Sequence, residues 1–264
     1  MAAMTDFRCS VASRDDAEPL AGTAPTDTEL LLVEHPGPWG RNAVEDSRLP
    51  DAVRAHLLGL DGVRVQLIRR HRGDSGPGVR VFRAVATGAG FRVTTGVADS
   101  LEAVPSLDLA ALAPYTGPLW LVCTNGRRDL CCAALGRPVA AALAARWPEE
   151  TWETTHLGGH RFSGTLLALP SSHTLGRLDP TNAVTACLEL ERGGVPVGLS
   201  RGRAGQPAAD QVRELHLLDG GDPEVQVVAV PGPMRRQSCG DAGEKATTRY
   251  DVRPLPAAVP PARV

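Results

Sequence analysis

Lysine is almost missing from this chain: of 28 basic residues only Lys245 is a lysine, a bias of codon usage rather than of function. Aromatic residues make up 4%, which excludes a stacking platform for single-stranded nucleic acid. Neither charge sign dominates. The formal net charge is −2, so binding that rests on phosphate contacts is not expected, and no nucleic-acid partner is called for. No apolar run approaches the roughly 18–20 residues of a membrane helix. The segment from Met1 to Ser13 lacks the basic stretch followed by an apolar one that marks a secretory signal. The expected setting is therefore the cytoplasm, away from membranes. There is also no Cys-x-x-Cys motif, and no pair of carboxylates stands out.

What is present is a chain of 264 residues, 42% hydrophobic, long enough to bury a core without disulfide staples. It carries six cysteines: Cys9, Cys123, Cys131, Cys132, Cys187 and Cys239. In a reducing compartment, clustered cysteines suggest metal or redox chemistry more than a disulfide framework.

Hydrophobic patterning predicts strands over Leu30–Glu34, Val63–Ile68, Val79–Ala86 and Phe91–Val97. Helices are predicted over Asp46–Leu60 and, interrupted by Pro105, over Leu101–Leu112. The pattern then restarts. Pro118–Val122, Thr151–Thr155, Thr165–Leu169 and His173–Leu178 read as strands, with helices over Cys132–Trp147 and Asn182–Glu191. Both halves read β-α-β-β-β-α, so the expected fold is α/β with two thioredoxin-like units packed together. The expected divisions are an N-terminal arm (1–27), a first half (28–115), a second half carrying the chemistry (116–218) and a C-terminal extension (219–264). Arg201–Gln206 reads as a loop, with Arg201 and Arg203 as a candidate anion contact. A helix over Ala208–Leu218 and a hairpin pairing Val225–Val230 with Thr248–Val252 follow. The Pro- and Ala-rich end from Pro254 is expected to be disordered.

The densest chemistry lies in Cys123-Thr-Asn-Gly-Arg-Arg-Asp-Leu-Cys131-Cys132. Cys132 opens a helix, where the dipole and nearby arginines favour thiolate, the metal-binding form. A second segment, His156-Leu-Gly-Gly-His160, sets two imidazoles four positions apart without the glutamate of an HExxH helix, and its glycines suit a loop. Two thiolates and two imidazoles on neighbouring loops fit either a tetrahedral zinc site or a [2Fe–2S] cluster with mixed ligation. Spacing alone does not choose, and the separation of the Cys pair from the His pair excludes a Rieske motif. Cys187 reads as core, Cys9 and Cys239 as exposed thiols in polar stretches, and Trp39 and Trp152 as core.

The motifs CTNGRRDLCC, GRPVAAAL, HLGGHRF, TLLALP, GRLD and RGR, with the upstream VEHPGPWGR, LIRR and CSVASR…PLAGTAP, resemble the sucrase/ferredoxin-like family of thioredoxin-like ferredoxins over about residues 7–217. The resemblance implies a [2Fe–2S] cluster on two cysteines nine apart and two histidines four apart, met here by Cys123, Cys132, His156 and His160. It further implies a reduction potential raised toward the Rieske range of about −150 to +300 mV, with electron uptake linked to a titrating imidazole. Cys131 is then a packing residue or fallback ligand. Asn125 stands where the family pattern leads one to expect histidine, which leaves the ligands intact but alters the loop. Arg127, Arg128 and Arg161 are candidates for partner docking or for raising the potential, and Asp129 for accepting from a ligand histidine or a backbone N–H. The function implied is electron transfer or redox sensing with a redox partner protein, in an electron carrier more than a catalyst. A sucrase is not expected, because no carboxylate pair flanks a sugar cleft. The alternatives are a zinc-stabilised Cys2His2 module and a thiol–disulfide oxidoreductase acting through Cys131 and Cys132.

Overall fold

The computed structural model describes residues 7–73 and 76–256. The strands are β1 (Glu29–Glu34), β2 (Arg64–Arg69), β3 (Val79–Thr87), β4 (Gly90–Ala98), β5 (Ala113–Tyr115), β6 (Leu119–Cys123), β7 (Thr151–Thr154), β8 (Leu166–Leu169), β9 (His173–Leu175), β10 (Ser200–Arg203), β11 (Val225–Pro231) and β12 (Thr248–Pro254). The helices are α1 (Cys9–Asp15), α2 (Asp51–Leu58), α3 (Leu130–Arg146), α4 (Pro180–Glu191) and α5 (Ala208–Leu218).

Ten strands form one mixed sheet in the order β10-β9-β8-β6-β7-β2-β1-β3-β4-β5. On each side of the β7–β2 seam the same run appears. Two parallel strands are joined by a helix, β1 and β2 through α2 and β6 and β7 through α3, and antiparallel strands are then added outward. The seam itself is short, with Ile68 opposite Thr154 and Arg69 opposite Glu153.

Strand alternation sorts the core. In β1, Leu30 and Leu32 face one way and Leu31 and Val33 the other; in β6, Leu119, Leu121 and Cys123 oppose Trp120 and Val122. The first sets, joined by Phe82, Phe91, Trp152 and Leu167, make one core shared by both sides of the seam. The opposite faces are covered by α3 and α4 on one side and by α2 on the other. The sheet curls around the shared core, so that Phe91 N–H of β4 donates to the Pro170 carbonyl after β8 at 2.7 Å. Each fully buried leucine here contributes about 1.5–3 kcal/mol.

Several expectations are corrected. The arm contains α1, on which Cys9 is fully buried. The first predicted helix starts only at Asp51, because Pro50 occupies its N-cap. The second, Leu101–Leu112, is a 3-10 turn over Leu101–Ser106, followed by the edge strand β5. Pro105 lacks the N–H that an α-helix needs there. The segment read as a loop from Arg201 opens with β10, which pairs with β9. The terminal hairpin forms as β11 with β12. Of the expected disordered end, Pro254 belongs to β12, and residues 257–264 lie outside the described residues. No helix among the described residues is long and apolar enough to cross a membrane.

Candidate metal centre

Cys123 is the last residue of β6, on its inner face, and is buried with Cys132 at the start of α3. Because β6 and β7 are parallel, the loops after both strands emerge at the same end. One loop carries the cysteines and the other the histidines. Asp129 caps α3 by accepting from Cys131 N–H at 2.9 Å, which sets where Cys132 points. Helix α3 lies hard against β6 at Gly136, where an added Cβ would sit 2.0 Å from the Cys123 carbonyl oxygen. Gly136→Ala is therefore expected to push α3 off the strand and cost about 1–3 kcal/mol, read as a lowered unfolding midpoint. An unchanged midpoint would contradict this packing.

The two sulfurs converge on one imidazole. Cys123 Sγ lies 3.8 Å and Cys132 Sγ 3.7 Å from His156 Nδ1. On the other side of that ring, His156 Nε2 is 3.2 Å from His160 Nδ1, and the ring centroids are 5.0 Å apart. The connecting loop is anchored by the buried Leu157. Gly159 has φ +66°, and a Cβ there would strike the Arg201 guanidinium, so glycine is required on both counts. The loop is also held from across the seam: the His156 carbonyl accepts from Arg64 Nη2 at 2.7 Å and from Gln66 Nε2 at 3.1 Å. Residues before the seam thus position the site, although patterning assigned them no chemistry.

Charge follows from these contacts. The hydrogen bond from Cys132, with His156 beside it, holds the Cys123 thiol well below its usual range, and the same bond together with burial pushes Cys132 up. Burial, with His156 alongside, keeps His160 below the usual imidazole range, hence neutral at neutral pH. Its Nε2 is buried and has no hydrogen-bond partner among the described residues. Soft thiols beside two imidazoles, one with an orphaned nitrogen, suit a thiophilic metal centre.

The other candidates take definite places. Asn125 is buried; its Oδ1 accepts from Arg127 and Arg128 N–H, and its Nδ2 donates to the Gly40 carbonyl at 3.1 Å. Asparagine thus shapes this loop without a ring. Arg127 is exposed, and Arg128 reaches Asn42 at 3.5 Å. Arg161 is buried in an ion pair with Glu18 at 2.7 Å, an internal position that withdraws it from a docking surface. Asp129 serves backbone N–H groups, those of Cys131 and Cys239, with Ser238 and Cys9 as further donors. Neither His156 nor His160 donates to it among the described residues. Cys131 turns away from Cys132 and meets Cys239 Sγ at 3.3 Å.

One residue near the site escaped sequence reasoning as more than a candidate anion contact. Arg201 is fully buried; it donates to the Gly158 carbonyl at 3.1 Å and to Thr23 Oγ1 at 3.0 Å, as well as to the Thr23 carbonyl. Burial lowers its pKa to about 10, opposed by attraction from the Cys123 and Cys132 thiols.

No curated protein and no solved structure matches this chain. The family model described as Sucrase/ferredoxin-like matches residues 20–202, a span that holds both cysteines and both histidines of the centre. With that span covering most of its length, the chain belongs to the sucrase/ferredoxin-like family.

Proposed function

We propose that the protein is an electron-transfer or redox-sensing protein that holds a [2Fe–2S] cluster through Cys123, Cys132, His156 and His160. The observation that carries this reading is the division of the donors. The two sulfurs and His156 lie within 4.8 Å of one another, while His160 faces the far side of the His156 ring. A single zinc ion would draw all four donors onto one centre, whereas a two-iron cluster shares two thiolates and two imidazoles between two atoms. When bound, the cluster supplies one-electron transfer.

The chain's own residues supply the rest. Cys123 and Cys132 would supply thiolate sulfur to the cluster from the buried core they share with Leu121 and Leu157. His156 is half-buried and lines an open cleft of about 370 Å³ with Arg41, Glu45, Arg64 and Arg128, so the centre lies close to solvent at this residue. Arg64 at this mouth is paired with Asp27 at 2.7 Å and Glu45 also lines it, so Arg41 and Arg128 are the contacts it offers to an acidic redox partner. It also gives an imidazole proton a route to water.

Arg201 places a buried positive charge near the thiols, with no carboxylate partner among the described residues. A fixed cation stabilises the more negative, reduced state. Arg201→Gln is expected to lower the midpoint potential by roughly 60 mV, one tenfold change in a one-electron equilibrium, and Arg201→Lys by less. Redox titration checks this, and an unchanged or raised potential in Arg201→Gln would contradict it. The reading as a whole is tested by iron analysis with visible and EPR spectra.

A further inference from the structure

Beside the candidate centre, but separate from it, three cysteines from distant parts of the chain meet. Cys9 opens α1, Cys131 lies in the first turn of α3, and Cys239 sits in the loop between β11 and β12. Cys239 Sγ is 3.3 Å from Cys131 Sγ and 3.6 Å from Cys9 Sγ. Asp129 Oδ1 is 3.5 Å from Cys9 Sγ. All four ligand atoms lie within 4.8 Å of one another. Cys9, Asp129 and Cys131 are buried.

We propose that Cys9, Cys131, Cys239 and Asp129 form a second metal site, which takes one zinc ion. A tetrahedral zinc with Zn–S near 2.3 Å and Zn–O near 2.0 Å requires S–S edges of about 3.8 Å and S–O edges of about 3.5 Å. The separations here approach those edges, so small movements close the site. At the first centre His160 falls outside the group of donors within 4.8 Å of one another, whereas all four donors here fall inside one such group.

The chemistry argues the same way. A thiol is a weak hydrogen-bond donor, so three of them gathered with a carboxylate gain little from each other. Among the described residues Asp129 accepts only from neutral groups, the Cys131 and Cys239 N–H, the Ser238 hydroxyl and the Cys9 thiol, and a bound dication would add positive charge that these donors do not bring. The site is not part of the family match either: Cys9 and Cys239 both lie outside residues 20–202. Its effect is mechanical. It clasps α1 and the β11–β12 loop to the start of α3, one residue from Cys132, and Arg161 adds a second tie by pairing with Glu18 and donating to the Arg236 carbonyl.

The experiment counts zinc and iron per chain in the full-length protein. Cys123→Ser combined with His156→Ala disables the first centre, so that zinc still bound cannot belong there. About one zinc is expected to remain in that variant, and to fall below one tenth when Cys9→Ser or Cys239→Ser is added. A zinc content that is absent from the double variant, or indifferent to Cys9→Ser and Cys239→Ser, overturns the proposal. So does a Cys131–Cys239 disulfide in the natively purified protein by mass spectrometry. Cobalt(II) titration of the chelator-treated wild-type chain provides a check that needs no core substitution. One equivalent with thiolate-to-cobalt charge transfer and tetrahedral d–d bands, kept in His156→Ala, supports the site; the lack of such bands overturns it. Failure of the first centre to bind iron leaves these counts unaffected.

Discussion

Cys132→Ser is expected to abolish the visible colour and take iron from about two atoms per chain to near none, while Cys131→Ser keeps both. The two cysteines are adjacent in sequence yet face different groups: Cys132 Sγ lies 3.7 Å from His156 Nδ1, and Cys131 Sγ lies 3.3 Å from Cys239 Sγ. A serine hydroxyl is a poor replacement for a soft thiolate toward iron. Its lower volume and polarity cost about 1–3 kcal/mol in a buried position, so circular dichroism should still report a folded chain. Thiol–disulfide chemistry through the Cys131–Cys132 pair predicts the reverse pattern: loss of either sulfur would end activity and iron would be irrelevant. Iron retained in Cys132→Ser would remove that residue from the centre.

Glu153→Gln is expected to cause the largest loss of stability. Glu153 sits on β7 at the seam, opposite Arg69 on β2. Its carboxylate accepts from Arg69 Nε at 3.0 Å and Nη2 at 2.7 Å, from Thr124 Oγ1 at 2.8 Å, and pairs with His71 Nδ1 at 2.9 Å. The Glu153 side chain is 6% exposed and that of Arg69 23%, so solvent screens the pair only partly. Breaking it strands a charge, at a cost of about 3 kcal/mol, the low end for buried pairs. That corresponds to roughly 6–12 °C in the unfolding midpoint. The pH dependence has a definite sign. Burial opposes the charge on Glu153, but hydrogen bonds from Arg69, Thr124 and His71 outweigh it and hold the carboxyl below the usual range. Its contribution is therefore present above the unfolded value of about 4.3 and is lost as pH falls through the folded one. Wild type and Glu153→Gln should differ fully at pH 7 and converge as pH falls through the lowered folded value. Equal midpoints at pH 7 would show that the seam does not depend on this carboxylate.

Strongly patterned elements were legible in the sequence. The apolar runs of β1 and β6 and the alternation in β3 and β4 carry their own signal, because burial on one or both faces leaves a period in the sequence. The polar β10 gave none, and β5 is too short to show one. Length and composition also misled at Leu101–Leu112, where Pro105 stops an α-helix before it starts. At the site, the Cys123–Cys132 and His156–His160 segments stood out because cysteine, histidine and glycine cluster along the chain. Arg201 did not, since arginine is almost never fully buried and nothing local marks the exception. Cys9 and Cys239 read as exposed because their flanks are polar. Cys9 is in fact buried and Cys239 half-buried, through a meeting across 230 positions that no window along the chain contains.

The central claim is that two thiolates and two imidazoles hold a two-iron cluster, and EPR of the anaerobically purified, reduced protein tests it most directly. A brown protein with about two irons per chain and a spectrum of low average g-value, as histidine ligation to one iron produces, is the result expected. A colourless, EPR-silent protein whose Cys123–His160 centre holds one zinc would contradict it.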